Sequence, residues 1–185
     1  MTSTSTPGLV RFNTLSDRAA LAALHEVCAS AAWGSELLAR RPYSTAEALF
    51  AASDTAMGEL GPGDLAEAMA GHPPIGRPKP GDPVSSREQR GMAGASEELR
   101  AEMLELNLAY QDTFGHVFLI CATGATGEQM RDALKARIGH TPEQERAIVR
   151  TELGKINRIR LARLVEEPLE EPLEEPLEEL VEEGE

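Results

Sequence analysis

The sequence predicts an all-α fold: a single-domain helical bundle of about seven to nine helices, followed by a disordered acidic C-terminal tail. Three observations predict it. Aromatic residues make up only 4% of the chain while alanine and leucine are abundant, which favours helices over a β-sandwich. Apolar residues recur at spacings of three and four, as at Leu99, Met103, Leu106, Tyr110 and Phe114. The one run with strand composition, residues 117–121, has no second strand pattern to pair with.

Taken in order, residues 1–12 read as a flexible lead-in. Ser16 then precedes a helix over residues 17–30, with Leu21, Leu24 and Cys28 on one face. Ser44 with Glu47 spells a capping box, and a helix follows to about Ala52. Asp64 with Glu67 offers a similar start, with Asp64 as the cap, for a short helix stopping at Gly71. Residues 72–83 contain Pro73, Pro74, Pro78, Pro80 and Pro83, so they form a stiff, non-helical loop. Ser85 with Glu88 makes another capping-box pattern, and an amphipathic helix follows over residues 97–113.

Residues 117–121, set between Gly115 and Gly124, read as a buried extended connector. Thr126 opens a helix to about Ile138, aligning Met130, Leu134 and Ile138. Thr141-Pro142-Glu143-Gln144 combines an N-cap, a first-turn proline and a capping-box glutamine. It starts the longest helix, which runs to about Val165 and ends a helical domain spanning residues 13–165. Residues 166–185 contain Glu-Pro-Leu-Glu three times over. Proline every four residues forbids a continuous helix there, and the like charge opposes collapse. This tail reads as disordered and dispensable for chemistry, with a solubilising or partner-binding role as the alternative.

The net charge of −13 is a property of that tail: it holds 11 glutamates and no lysine or arginine, leaving 20 acids against 18 bases in residues 1–165. Neither part resembles a basic footprint for nucleic acid. No stretch reaches the roughly 18 apolar residues of a membrane span. The N-terminus lacks a charged region followed by an apolar core, so a cytoplasmic protein is expected. Cys28 and Cys121 form no CxxC pair and read as buried structural thiols.

Phosphate-loop, dinucleotide and zinc-helix motifs are absent, and His25, His72, His116 and His140 lack metal-ligand spacing, so no metal is expected. His72 stands out, at the mouth of the proline-rich loop and sixteen residues before Glu88-Gln89. Prolines fix its backbone, and an ordinary imidazole titrates near neutrality. Ser85, Glu88 and Gln89 would gather at the first turn of the next helix, where free N–H groups favour an anionic ligand. The plainer readings stand beside this. His72 reads equally as a cap of the preceding helix, Ser85 and Glu88 as only a capping box, and Gln89 as a surface residue.

Five blocks decide between them. Gly71-His72-Pro73-Pro74-Ile75-Gly76, Ser85-Ser86-Arg87-Glu88-Gln89-Arg90-Gly91 and Glu105-Leu106-Asn107-Leu108-Ala109-Tyr110 come first. Phe114-Gly115-His116-Val117-Phe118-Leu119-Ile120 and Lys155-Ile156-Asn157-Arg158-Ile159-Arg160-Leu161 follow. Their order resembles that of the 2-oxo-4-hydroxy-4-carboxy-5-ureidoimidazoline (OHCU) decarboxylase family over roughly residues 12–165. The chain departs from the family at Pro74 and Ile75, at His116-Val117, and in a shorter loop between His72 and Glu88.

The resemblance implies an all-α homodimer that acts on a small-molecule ureide and needs neither metal nor organic cofactor. It implies that His72 is the catalytic histidine and Glu88 the acidic partner bonded to the substrate ring. It places Pro73, Ser85 and Gln89 at substrate-binding positions. It also implies a connector, Phe118, Leu119, Ile120, Cys121 and Ala122, whose backbone faces the ligand, and a substrate-contacting Arg160 whose register against Arg158 is open. The implied substrate carries its carboxylate beside a ring carbonyl, so departing carbon dioxide leaves an enolate. His72 then supplies acid–base catalysis, and backbone N–H groups near Leu119 and Cys121 cover oxyanion charge. Two other classes remain: a non-catalytic helical interaction protein, and a small-molecule hydrolase using His72 and Glu88.

Overall fold

Helix formation starts earlier in the chain than expected. The computed structural model describes residues 5–166, and its first helix, α1, already spans Pro7–Thr14. Thr6 caps α1 by accepting the Leu9 N–H at 3.2 Å, and Pro7 fills the first turn, where its missing donor costs nothing. Leu9 and Phe12 are buried, so the flexible lead-in expected over residues 1–12 is corrected for residues 7–12. Residue 8 must be glycine for α1 to seat: a Cβ there would lie 2.5 Å from the Val165 carbonyl oxygen.

The helix expected over residues 17–30 ends early, and an unexpected helix follows it. α2 (Asp17–Val27), capped by Ser16, ends where Cys28 turns extended, and Ser30 caps a separate α3 (Ala31–Ala39) carrying buried Trp33 and Leu37. α4 (Ala46–Glu59) is capped by Thr45 rather than Ser44. It runs past Ala52 because Ser53, Ala56 and Met57 are buried on its inner face. In α5 (Pro62–Ala70) Gly61 is the cap and Asp64 accepts the Gly61 N–H at 3.2 Å, so Asp64 is the box residue and not the N-cap. α6 (Pro83–Glu88) is followed by a 3-10 turn, Arg90–Met92, and then by α7 (Glu97–Phe114), α8 (Gly127–Arg137) and α9 (Pro142–Glu166). The all-α expectation holds: nine α-helices and no strand occur among the described residues. None of these helices is long and apolar enough to cross a membrane. The acidic repeat, residues 167–185, lies outside the described residues.

Two apolar clusters organise the helices. α9 packs against α1, α2, α4 and α5 around Leu24, Trp33, Leu49, Leu153 and Leu161. α7 packs on α8 around Met103, Tyr110, Met130 and Leu134. The stretch at residues 117–122 is the expected extended connector, threading between the two. Leu119 belongs to the first cluster, and Phe118 and Ala122 to the second.

A buried ion pair fixes this connector. Glu145 is fully buried and takes Arg137 Nη2 at 2.8 Å, His140 Nδ1 at 2.9 Å and the Tyr110 hydroxyl. Burial alone would raise the Glu145 carboxyl, but the bonds from Arg137, Tyr110 and His140 outweigh it and hold it below the ordinary range. Arg137 Nη1 then donates to the Leu119 carbonyl at 2.8 Å, and its guanidinium stacks 4.6 Å from the Phe118 ring centroid. Removing one partner strands a buried charge. Glu145→Ala should therefore lower unfolding free energy by about 3–5 kcal/mol in urea titrations, whereas Glu143→Ala on the exposed face of the same turn should change little.

Candidate active site

The site is built where the proline-rich loop, α6 and the connector meet. Asp82 caps α6 by accepting the Val84 and Ser85 N–H groups at 3.0 and 3.3 Å, and Pro83 occupies the first turn. Two expectations are corrected by this. Ser85 and Glu88 do not form a capping box, because Glu88 is the last residue of α6. The start of α6 is not open to an anionic ligand, because the chain's own carboxylate already sits there. Ser85 Oγ instead accepts the Lys79 N–H at 3.0 Å, folding the loop back on α6.

Gln89 is buried and fully used. Its Oε1 accepts the Gly76 N–H at 2.9 Å, and its Nε2 donates to the Pro74 carbonyl at 3.1 Å and more weakly to Pro73 at 3.4 Å. It is not the surface residue of the plainer reading. It is the clasp that shapes residues 73–76, whose prolines lack the N–H groups needed to brace themselves.

Glu88 is buried and paired with α9. Arg160 Nε donates to Oε1 at 2.7 Å and Nη2 to Oε2 at 2.9 Å, while Nη1 donates to the Val27 carbonyl at 3.0 Å. This bidentate fork is the strongest geometry available to a carboxylate. Arg158 instead faces away, toward Glu47 and Asp54.

His72 closes the last turn of α5 through its backbone N–H, bonded to Met69 O at 3.0 Å, so its ring is not the cap. Its imidazole has no hydrogen-bond partner among the described residues, and burial pushes its pKa down to about 4. Arg160 pushes the same way, and Glu88 opposes it. The ring is therefore a neutral imidazole at physiological pH.

One narrow cavity, about 20 Å³ or roughly one water across, is lined by His72, Pro73, Ser85, Glu88, Gln89 and the connector. From the connector, Phe118, Leu119, Ile120 and Ala122 contribute. Two expected residues stand outside the lining. Cys121, only half-buried, turns away and its N–H is taken by Glu152 at 2.8 Å, so that group is not free for an oxyanion. Arg160 sits behind Glu88. The Leu119 and Ile120 N–H groups have no partner among the described residues. Thr123 and Ile156 also line the cavity. Ile156 lay within a quoted block, but Thr123 and Glu152 carried no signal in the sequence. Among the described residues no three His, Cys, Asp or Glu side chains gather as metal ligands.

Comparison with known proteins places the chain in a family. The family model described as OHCU decarboxylase matches residues 13–162. The chain is 31% identical over 148 residues to the uric acid degradation bifunctional protein TTL of Arabidopsis thaliana, covering 76% of this chain and 45% of that protein. It is 37% identical over 68 residues to the 2-oxo-4-hydroxy-4-carboxy-5-ureidoimidazoline decarboxylase of Amia calva, covering 37% of this chain and 39% of that protein. The chain thus spans less than half the length of these curated relatives. A crystal structure of an OHCU decarboxylase in the presence of (S)-allantoin superposes with a TM-score of 0.71 at 27% identity, covering 83% of this chain and all of that one.

The depressed His72 pKa has a consequence for stability. Between pH 6.5, the ordinary histidine value, and about 4, the unfolded chain binds this proton and the folded chain does not. Stability contributed by neutral His72 is therefore complete above pH 6.5 and falls as pH drops through this window. Urea midpoints measured from pH 7 down to 4 should decline less steeply in His72→Asn than in the wild type.

Proposed function

The chain belongs to the OHCU decarboxylase family, and from that premise we propose that it is a carboxy-lyase of urate degradation, converting OHCU to (S)-allantoin with His72 as general acid/base. One observation carries the reading. An unpaired, neutral imidazole faces a cavity walled by Pro73, Phe118, Leu119, Ile120 and Ile156, with one anchored carboxylate, Glu88, beside it.

The chemistry follows from the substrate's structure. OHCU carries hydroxyl and carboxylate on the same ring carbon, C4, so the electron acceptor next to it is the C5=N1 double bond rather than a ring carbonyl. When the bond from C4 to the carboxylate breaks, its electron pair forms C4=C5. The C5=N1 pair then moves onto N1, which takes a proton from solvent. The resulting enol loses its hydroxyl proton and gains one at C5. Neutral His72 accepts the hydroxyl proton and returns it to one face of C5, so the imidazole ends as it began and one stereoisomer forms. The substrate supplies its own electron sink, so the reading needs no metal or organic cofactor.

The other residues divide the remaining work. Glu88, held by Arg160, offers a fixed acceptor edge to the ureido and ring N–H groups. The Leu119 and Ile120 N–H groups cover the C4 oxygen as charge develops there. Ser85, Gln89 and Pro73 shape the loop around the ligand, and the reading requires that loop to move outward to admit a ring with two polar arms. The same reading carries a homodimer working in the cytoplasm.

The test generates OHCU in place from urate with urate oxidase and hydroxyisourate hydrolase, and follows the circular dichroism of the allantoin formed. Spontaneous decay gives racemic allantoin, so the optical signal isolates the enzyme. The wild type should produce one enantiomer rapidly. His72→Ala should lose about 10²–10⁴-fold in rate, and near-wild-type turnover by the folded variant would sink the assignment. The acid limb attributable to His72 in kcat/KM should fall near the perturbed value of about 4 and not near 6.5.

A further inference from the structure

A second and larger concavity, about 320 Å³, opens beside the catalytic cavity between α7 and residues 74–77. Its floor includes Leu104, Leu108, Val117 and Phe118, and Arg77 and Arg100 stand in its wall. Leu108 is 55% exposed and Leu104 37%, unusual for side chains of this size. No carboxylate lines the groove. Neither Arg77 nor Arg100 forms an ion pair among the described residues. Apolar surface and unanswered positive charge therefore coincide on one face.

The chain carries a segment of matching chemistry. Residues 167–185 hold 10 glutamates and no base, and Leu169, Leu173 and Leu177 recur every four residues with glutamates on either side. Nineteen proline-spaced residues reach up to about 60 Å at about 3.1 Å each. The radius of gyration expected for a chain of this size is about 16 Å, so the segment can reach any face of the domain. Its effective concentration there is of millimolar order. The family match ends at residue 162, so this segment is an addition to the shared domain.

We propose that residues 167–185 dock in cis in this groove, seating leucines on Leu104 and Leu108 while glutamates pair with Arg77 and Arg100. Ile75 and Phe118 line both the groove and the catalytic cavity. The docked segment thus braces the outer side of the loop that carries His72 and Gln89's clasp. The inference stands independently of the reaction assigned above.

The test is zero-length carbodiimide coupling of the full chain, which joins a carboxylate directly to a lysine amine, read by mass spectrometry. Lys79 lies two residues from Arg77, and Lys135 on α8 and Lys155 on α9 serve as internal controls. Mixing nitrogen-15-labelled and unlabelled chains separates coupling within a chain from coupling between chains. Glutamates of residues 167–185 should couple to Lys79 within one chain about tenfold more than to either control. That preference should collapse when salt is raised to about 0.5 M, and in the R77E/R100E and L108D variants, with circular dichroism confirming their fold. Equal coupling to all three lysines, or none, overturns the proposal. Coupling mainly between chains overturns it too, and assigns the groove to a second copy.

Discussion

The Glu88–Arg160 fork is the constraint on which the site depends. It joins α6, a helix of six residues too short to be stable alone, to the longest helix of the bundle. Through Nη1 on the Val27 carbonyl, the same guanidinium also holds the end of α2. Three elements far apart in sequence thus meet at one planar group, and the proline loop between α5 and α6 is pinned at its far end. Gln89, the next residue, carries that order back into the loop by bonding to Gly76, Pro74 and Pro73. Without the fork, the clasp has nothing fixed to act from.

The fork also governs protonation. A free carboxylate beside His72 would raise its pKa and make a resident imidazolium. Glu88 does push that way, but burial first and then Arg160 outweigh it and leave the ring neutral. Under the proposed reaction, a neutral imidazole has to receive a proton before it gives one. The fork also weighs against the hydrolase that the residues alone allowed. A water-activating pair needs a carboxylate bonded to the imidazole to steady its charge. Here the carboxylate is bonded to arginine at both oxygens, and His72 has no partner among the described residues.

Much of the fold was legible because it is written locally. Thr126 opens its helix, Thr141 with Gln144 forms its capping box, and the α7 stripe buries Leu99, Met103 and Tyr110. The misreadings were local as well. Thr6-Pro7 and Asp82-Pro83 both pair an N-cap with a first-turn proline; the first lies within the expected lead-in, and the second is passed over for the Ser85–Glu88 capping-box pattern. The break between α2 and α3 depends on Cys28 turning extended, which alanine-rich periodicity does not record. The site was legible only as a set of separate residues. Which of them touch depends on contacts across 72 residues for Glu88 with Arg160 and 31 for Cys121 with Glu152, and spacing cannot supply those. Hence Cys121 and Arg160 were grouped with the lining although one turns away and the other stands behind Glu88.

The character of the cavity wall argues for loss of carbon dioxide over addition of water. A carboxylate carries a localised charge that an apolar surface solvates poorly. As the bond to C4 breaks, that charge spreads into the ring, and the departing fragment becomes neutral. A wall of Leu119, Ile120, Phe118 and Ile156 therefore penalises the starting state more than the transition state, provided fixed dipoles meet the charge where it arrives. The buried Arg137–Glu145 pair contributes here at a distance. By occupying the Leu119 carbonyl, Arg137 fixes the orientation of the connector's peptide groups, so its unpaired N–H groups need not reorganise as charge develops.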